Sequence, residues 1–396
     1  MLQQLLTADQ VLPGPAGQRI RDGAVLFQDG TILAVGPRAD VERLASPTAK
    51  RQDFPGGTIL PGLINCHVHL VFDAAGDPVK ASAEATHTEL AGRADQLLRS
   101  GVTTARDLGD RDGLAIEFRD RQAHGLRVVA SGPPITVPNG HCWFLGGAAD
   151  GEAELRAQVR KNAALGADVI KVMASGGQVT PNSPSMSDCQ FTTAELAAIV
   201  DEAGKAGLPV AAHAHGTDAI AAAADAGVTT IEHCTWLREG GGGYDLRDDV
   251  AAKIAERGIF ACVAWPSDWR GFMNRLGAAR ADLVADRFTW MAEHGIRMIP
   301  GTDAGAGSSG FDDFAGALQL YEHLGFDREH VIEMATMTSA EALGIGDTTG
   351  QLSPGLSADL LVVEGDPLSD LGLLSCLELV VAQGQVVTDP LEQHER

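Results

Sequence analysis

Thr58-Ile59-Leu60-Pro61-Gly62-Leu63-Ile64-Asn65-Cys66-His67-Val68-His69 is an apolar run of strand length that ends on two histidines one residue apart. Along a strand, side chains two positions apart point to the same face. Both imidazoles can therefore converge on one cation at the C-terminal end of the strand. Two structural histidines would alternate in the same way, so the reading of this pair depends on what surrounds it.

Beyond this run the chain repeats a strand-then-helix rhythm to about residue 345. Apolar runs at 102–105, 127–130, 168–173, 208–212, 228–231, 259–263 and 297–300 follow the first and bring the strands to eight. Most are trailed by Ala-, Leu-, Glu- and Arg-rich segments of helical length, such as 151–165, 192–206 and 277–294. The rhythm predicts an α/β protein with a (β/α)8 TIM-type barrel over 60–349, whose chemistry gathers at the C-terminal ends of the strands. A doubly wound sheet is the alternative, but no glycine-rich dinucleotide turn follows the first strand. Gly240-Gly241-Gly242-Gly243 reads as a flexible loop on the same rim.

Residues 1–59 alternate short apolar runs with turns, and Asp29-Gly30 between two of them is a hairpin signal. The stretch 350–396 has the same character. The two ends are expected to meet as a small β-sandwich domain beside the barrel.

Composition narrows the function. Of 396 residues, 44% are hydrophobic and 21% charged, enough for a sizeable soluble core. A formal net charge of −23 lacks the basic footprint that nucleic acid requires and disfavours an anionic lipid surface. The six cysteines are scattered without CxxC pairs, and the N-terminus shows neither a basic n-region nor a sustained apolar stretch. A reduced, cytoplasmic protein without a membrane span is expected, acting on a small-molecule or peptide substrate. Loop lengths and apolar helix faces leave a homo-oligomer undecided.

Four further residues stand at strand ends. Lys171, in Val169-Ile170-Lys171-Val172-Met173, would bury an ammonium inside an apolar strand, which is costly unless the group is paired or chemically altered. It could instead snorkel to the rim. His213 and His233 each close an apolar run, and Asp303 lies in Gly301-Thr302-Asp303-Ala304-Gly305, where glycines allow a sharp turn. Alone, each of these histidines and the aspartate is more often structural. Together with His67 and His69 they occupy the ends of strands one, four, five, six and eight, and such donors suit zinc and its neighbours.

On these residues the sequence resembles the amidohydrolase superfamily, nearly end to end. Supporting stretches are Gly101-Val102-Thr103-Thr104-Ala105-Arg106-Asp107, Gly301-Thr302-Asp303 and Ser353-Pro354-Gly355-Leu356-Ser357-Ala358-Asp359-Leu360. It is most similar to the binuclear prolidase-like and imidazolonepropionase-like carboxypeptidase branch. The resemblance implies two divalent metal ions, with zinc the expected pair. His67, His69 and Asp303 would hold the buried ion, His213 and His233 the outer one, and a carboxylated Lys171 would bridge both. Deaminases of the superfamily carry a Glu three residues after the strand-five histidine and lack the strand-four lysine. Here Gly216 and Lys171 stand at those positions, favouring hydrolysis by two metals.

The expected reaction is hydrolysis of an amide bond in a peptide or N-acyl amino acid by a metal-activated hydroxide. Asp303 would move the proton, and His141 would bond the carbonyl oxygen unless it is only a loop histidine. His215 stands where some related carboxypeptidases have a tyrosine that meets the substrate carboxylate, a departure that weakens the case for dipeptides; a histidine can still donate one hydrogen bond. Arg270 could pair with a carboxylate or lie solvated. Trp265, Trp269 and Phe272 form either an apolar substrate wall or the packing of a lid. A tailoring amidase for a modified peptide natural product or another unusual amide is the alternative. A non-catalytic scaffold is a third reading, opposed by the full set of candidate ligands.

Overall fold

The structure is a computed structural model that describes residues 3–74, 76–121, 125–307 and 309–388. One seven-stranded sheet is built from both ends of the chain. Its strands are β1 (Gln4–Val11), β2 (Ile20–Gln28), β3 (Thr31–Pro37), β4 (Lys50–Pro61), and later β13 (Leu360–Glu364), β14 (Leu377–Ala382) and β15 (Gln385–Thr388). The order is β15-β14-β13-β4-β1-β2-β3. Asp29 and Gly30 turn β2 into β3, both with left-handed φ (52° and 81°), as a tight hairpin requires. Phe27, Ile59, Leu360 and Val381 pack on one face of the sheet, and Leu5, Leu26 and Val41 on the other.

The eight remaining strands run parallel and alternate with helices. They are β5 (Leu63–Val68), β6 (Val102–Asp107), β7 (Arg127–Ala130), β8 (Ile170–Met173), β9 (Val210–Gly216), β10 (Thr230–Leu237), β11 (Phe260–Ala264) and β12 (Met298–Gly301). Two sets, β5-β6-β7 and β8 to β12 in sequence order, are joined by parallel bridges at Ile135–Val172 and Val68–Ala304. That closes a (β/α)8 barrel. Thr86 with Glu89 and Thr192 with Glu195 form capping boxes that start two of the surrounding helices.

Closure at the seam between β12 and β5 is a side-chain matter. Asn65 Nδ2 donates to Thr302 Oγ1 (2.7 Å), and the Thr302 amide donates back to Asn65 Oδ1 (3.2 Å). A Cβ at Gly301 would lie 2.7 Å from the Cβ of His67, so only glycine lets β12 pass this close to β5. Among the described residues, no helix is long and apolar enough to cross a membrane. All six cysteines are free thiols.

Candidate metal centre

At the C-terminal mouth of the barrel, His67 and His69 leave β5 on one face. Each has its Nδ1 tied up: that of His67 to Glu232 Oε2 (2.9 Å), that of His69 to the Gly109 carbonyl (3.3 Å). With those nitrogens donating, each Nε2 keeps a free lone pair. Both Nε2 atoms face Asp303 Oδ1, at 3.4 and 3.3 Å. Asp303 sits at a left-handed φ of 55°, and its amide donates to the His67 carbonyl (2.9 Å). Its side chain is 29% exposed, and the partial desolvation alone would raise the pKa; His67, His69 and Lys171 outweigh that and hold it anionic.

Facing this group, the His213, His215 and His233 rings lie with centroids 4.4–4.6 Å apart. His213 and His215 share a face of β9, for the same period-two reason as the first pair. His233 reaches the site differently. Here β10 breaks register, and His233, Cys234 and Trp236 all have left-handed φ, at 64°, 47° and 59°. Such strained residues persist only where their surroundings hold them, commonly at functional sites. The His67 and His233 rings are 4.9 Å apart, so the two groups adjoin.

Lys171 is fully buried, and its Nζ has no hydrogen-bond partner among the described residues. Burial drives its pKa down from the ordinary lysine value. Its charge acts on His67, His213, His233 and Asp303 alike. His141 joins them, its ring 4.8 Å from that of His213. Gly177 makes room for it, since a Cβ there would lie 2.4 Å from the imidazole. Thr180 Oγ1 accepts from the Cys142 amide and lies 3.3 Å from His141 Nδ1. Its hydroxyl can donate to that nitrogen, leaving Nε2–H pointed elsewhere.

Among the described residues, three groups have ligand atoms close enough to hold an ion: His67-His69-Asp303, His213-His215-His233, and His67-Glu232-Cys262. The third is unsuited. Glu232 is already paired with Arg106 Nη2 (2.8 Å), and burial followed by Glu232 itself pushes the Cys262 thiol well up, away from the thiolate a metal needs.

Arg106 and Glu232 were not singled out from the sequence, yet they hold the site. Glu232 fixes the His67 ring, and Arg106 both pairs with Glu232 and donates through Nε to the Cys66 carbonyl (2.8 Å). Asp107 next to it accepts from the Leu70 amide (2.6 Å) and anchors the loop after β5. The structure does not bring Arg270 to the imidazoles. That side chain is exposed, bonded to Gln319 Oε1 (3.1 Å) and stacked on Trp269 at 4.2 Å. Trp269 is packing: it is buried and donates through Nε1 to the Gly316 carbonyl (3.1 Å). A recess of about 930 Å3 lies at the opposite end of the barrel and is lined by Arg127, Asp168 and Pro209, among others, with no imidazole.

Chelated protein is expected to lose thermal stability as pH falls from about 6.5 to about 4. Burial is the main reason that His67 and His141 hold their pKa down to about 4 and His215 to about 3, with Lys171 and His141 adding to it. Unfolded, the same histidines take up protons near their ordinary 6.5. The unfolded chain therefore binds more protons across that window, so stability rises with pH through it. A melting temperature that stays flat between those two pH values would contradict this.

The sequence model of the Amidohydrolase family matches residues 58–387. An ochratoxinase from Aspergillus niger is 29% identical, aligned over 93% of this chain and 82% of its own. An imidazolonepropionase from Mesorhizobium japonicum is 26% identical over 87% and 86%. Among solved structures, a Xaa-Pro dipeptidase with bound methionine superposes with a TM-score of 0.82 at 25% identity, covering 97% of this chain and 99% of that one. The A. niger ochratoxinase structure gives 0.84 at 26% identity, covering 98% and 96%.

Proposed function

The chain belongs to the amidohydrolase family and is a hydrolase, and from that premise we propose that it cleaves an amide bond in a peptide or N-acyl amino acid. The observation that carries this reading is the meeting of two imidazole groups at one barrel mouth, in a chain that also buries Lys171 with no hydrogen-bond partner for its Nζ among the described residues. The residues fit a metal pair. His67, His69 and Asp303 would hold the inner ion, His213 and His233 the outer one, and Lys171, carboxylated, would bridge them. Nitrogen and oxygen donors of this kind suit zinc.

Two such ions would supply Lewis acidity and bring the pKa of a water to about 7. The remaining work falls to side chains. Asp303, held anionic, takes the proton of the attacking water at its carboxylate and returns it to the nitrogen of the leaving amine. His141, neutral and bonded by Thr180 at Nδ1, donates Nε2–H to the scissile carbonyl oxygen. His215 keeps its Nδ1 on Thr235 Oγ1 (2.8 Å) and turns the rest of its ring to the substrate. A second reading, an amidase for an unusual amide such as a modified peptide natural product, draws support from the likeness to ochratoxinase.

Zinc-loaded protein given a mass-spectrometry library of dipeptides and N-acyl amino acids is expected to release C-terminal amino acids, and a chelator should abolish the release. Silence with both ions bound would shift the assignment to the second reading. Turnover indifferent to the chelator would remove the metal mechanism altogether.

A further inference from the structure

Among the described residues, Arg287 is a cation buried without a counter-ion. It lies on the helix Ala278–Glu293 that follows β11, with only 1% of its surface exposed. Its Nη1 donates to the Thr235 carbonyl (3.0 Å), while among the described residues its Nε has no hydrogen-bond partner and no carboxylate pairs with it. Burial works against its charge, and the groups that favour it, Tyr244, Cys234 and Tyr321, are ordinarily neutral. A buried guanidinium in this condition is expensive, and Arg is rarely left so unless something pairs with it.

Its position says what that something is. Thr235 accepts from Arg287 through its carbonyl and bonds His215 Nδ1 through its hydroxyl, so the guanidinium is one residue from the imidazole cluster. Its charge is felt at His215. The ring of Tyr244 covers it at 4.9 Å, a half-buried side chain that can swing on its own torsions. Gly240-Gly241-Gly242-Gly243 precede it, and a Cβ at any of them would touch nothing within 4 Å. Phe288, next in sequence, packs on Trp265 (6.3 Å), which packs on Phe272 (5.1 Å), so an apolar wall adjoins the charge.

We propose that Arg287 is the receptor for the free carboxylate of the substrate, with Tyr244 as its movable cover. The assignment rests on the amide-hydrolase reading and narrows it to substrates that carry a carboxylate beside the scissile amide and an apolar or aromatic side chain. A guanidinium matches a carboxylate with two parallel donors, and here the free Nε supplies one of them. The role given to Arg270 from sequence passes to Arg287.

The test is calorimetric binding of N-acetyl-L-phenylalanine and of its primary amide to zinc-loaded protein, wild type and Arg287→Met. Wild type should bind the acid about tenfold tighter than the amide or better, as expected for a charged hydrogen-bond pair. Arg287→Met should erase that preference by weakening the acid alone, with metal content unchanged. Equal weakening of both ligands would make Arg287 a brace for Thr235, and an undiminished affinity for the acid would assign the carboxylate elsewhere; either overturns the proposal. Should the variant fail to fold, equal binding of acid and amide by the wild type overturns it just as well. Acid-selective binding that Arg287→Met abolishes, with no hydrolysis of any library member, would sink the proposed reaction and leave the receptor standing.

Discussion

Asp303→Asn is expected to lower kcat by about 10³-fold or more, at the upper part of the range for losing a proton-transfer group. That corresponds to about 4 kcal/mol of barrier. The substitution is chosen for its backbone. Asp303 has a φ of 55°, and Asn is the other residue that enters this region readily. The hydrogen bond that the residue-303 N–H donates to the His67 carbonyl survives, so the turn after β12 keeps its shape. What disappears is an anion facing two Nε2 atoms. Circular dichroism and a cooperative melt should report an intact fold while turnover fails. Activity within tenfold of wild type would remove Asp303 as the proton carrier. Asp303→Ala would be a poorer experiment, because it adds strain at the same position.

Most of the barrel could be read directly from the sequence. Parallel strands buried on both faces are written as continuous apolar runs, and each of the eight runs overlaps one of β5 to β12, the first also taking in the end of β4. The histidine positions were legible for the same reason: a polar residue closing an apolar run must sit at a strand end. Glu232 and Arg106 were missed, although each carries a charge inside such a run. Sequence separates them by 126 positions, and their meaning as a pair exists only once β10 and β6 face each other across the barrel. Cost of burial, the argument that found Lys171, would have flagged both. His233 was found for a partly incomplete reason, since it enters the site through a left-handed backbone that no apolar pattern encodes. Arg287 was invisible because a mid-helix arginine in Ala-Asp-Arg-Phe reads as a solvated face, and only packing shows it enclosed. Arg270 was open to two readings in sequence, a carboxylate partner or a solvated side chain, and only the fold shows it exposed, stacked on Trp269 and bonded to Gln319.

Lys171→Met is expected to move stability and function in opposite directions. In the metal-free protein the amine is enclosed with no hydrogen-bond partner among the described residues, so replacing it with a thioether of similar length removes an unsatisfied polar group worth about 2 kcal/mol. The chelated variant should therefore melt a few degrees above chelated wild type. In the loaded protein the balance reverses. Burial favours the neutral amine, which is the form that can add to carbon dioxide, releasing one proton and leaving an anionic carbamate. Methionine offers no such oxygen donors, so the imidazole groups lose the anion between them. The variant should bind fewer ions than wild type, by elemental analysis after dialysis, and turnover should fall at least as far as in Asp303→Asn. Wild type loaded in [13C]bicarbonate should show a carbamate carbon by NMR that the variant lacks. Full occupancy of both ions at wild-type affinity in Lys171→Met would refute the bridge. A fall in the melting temperature of the chelated variant would instead mean that the lysine supports the fold, and the case for a bridging group would lose its physical premise.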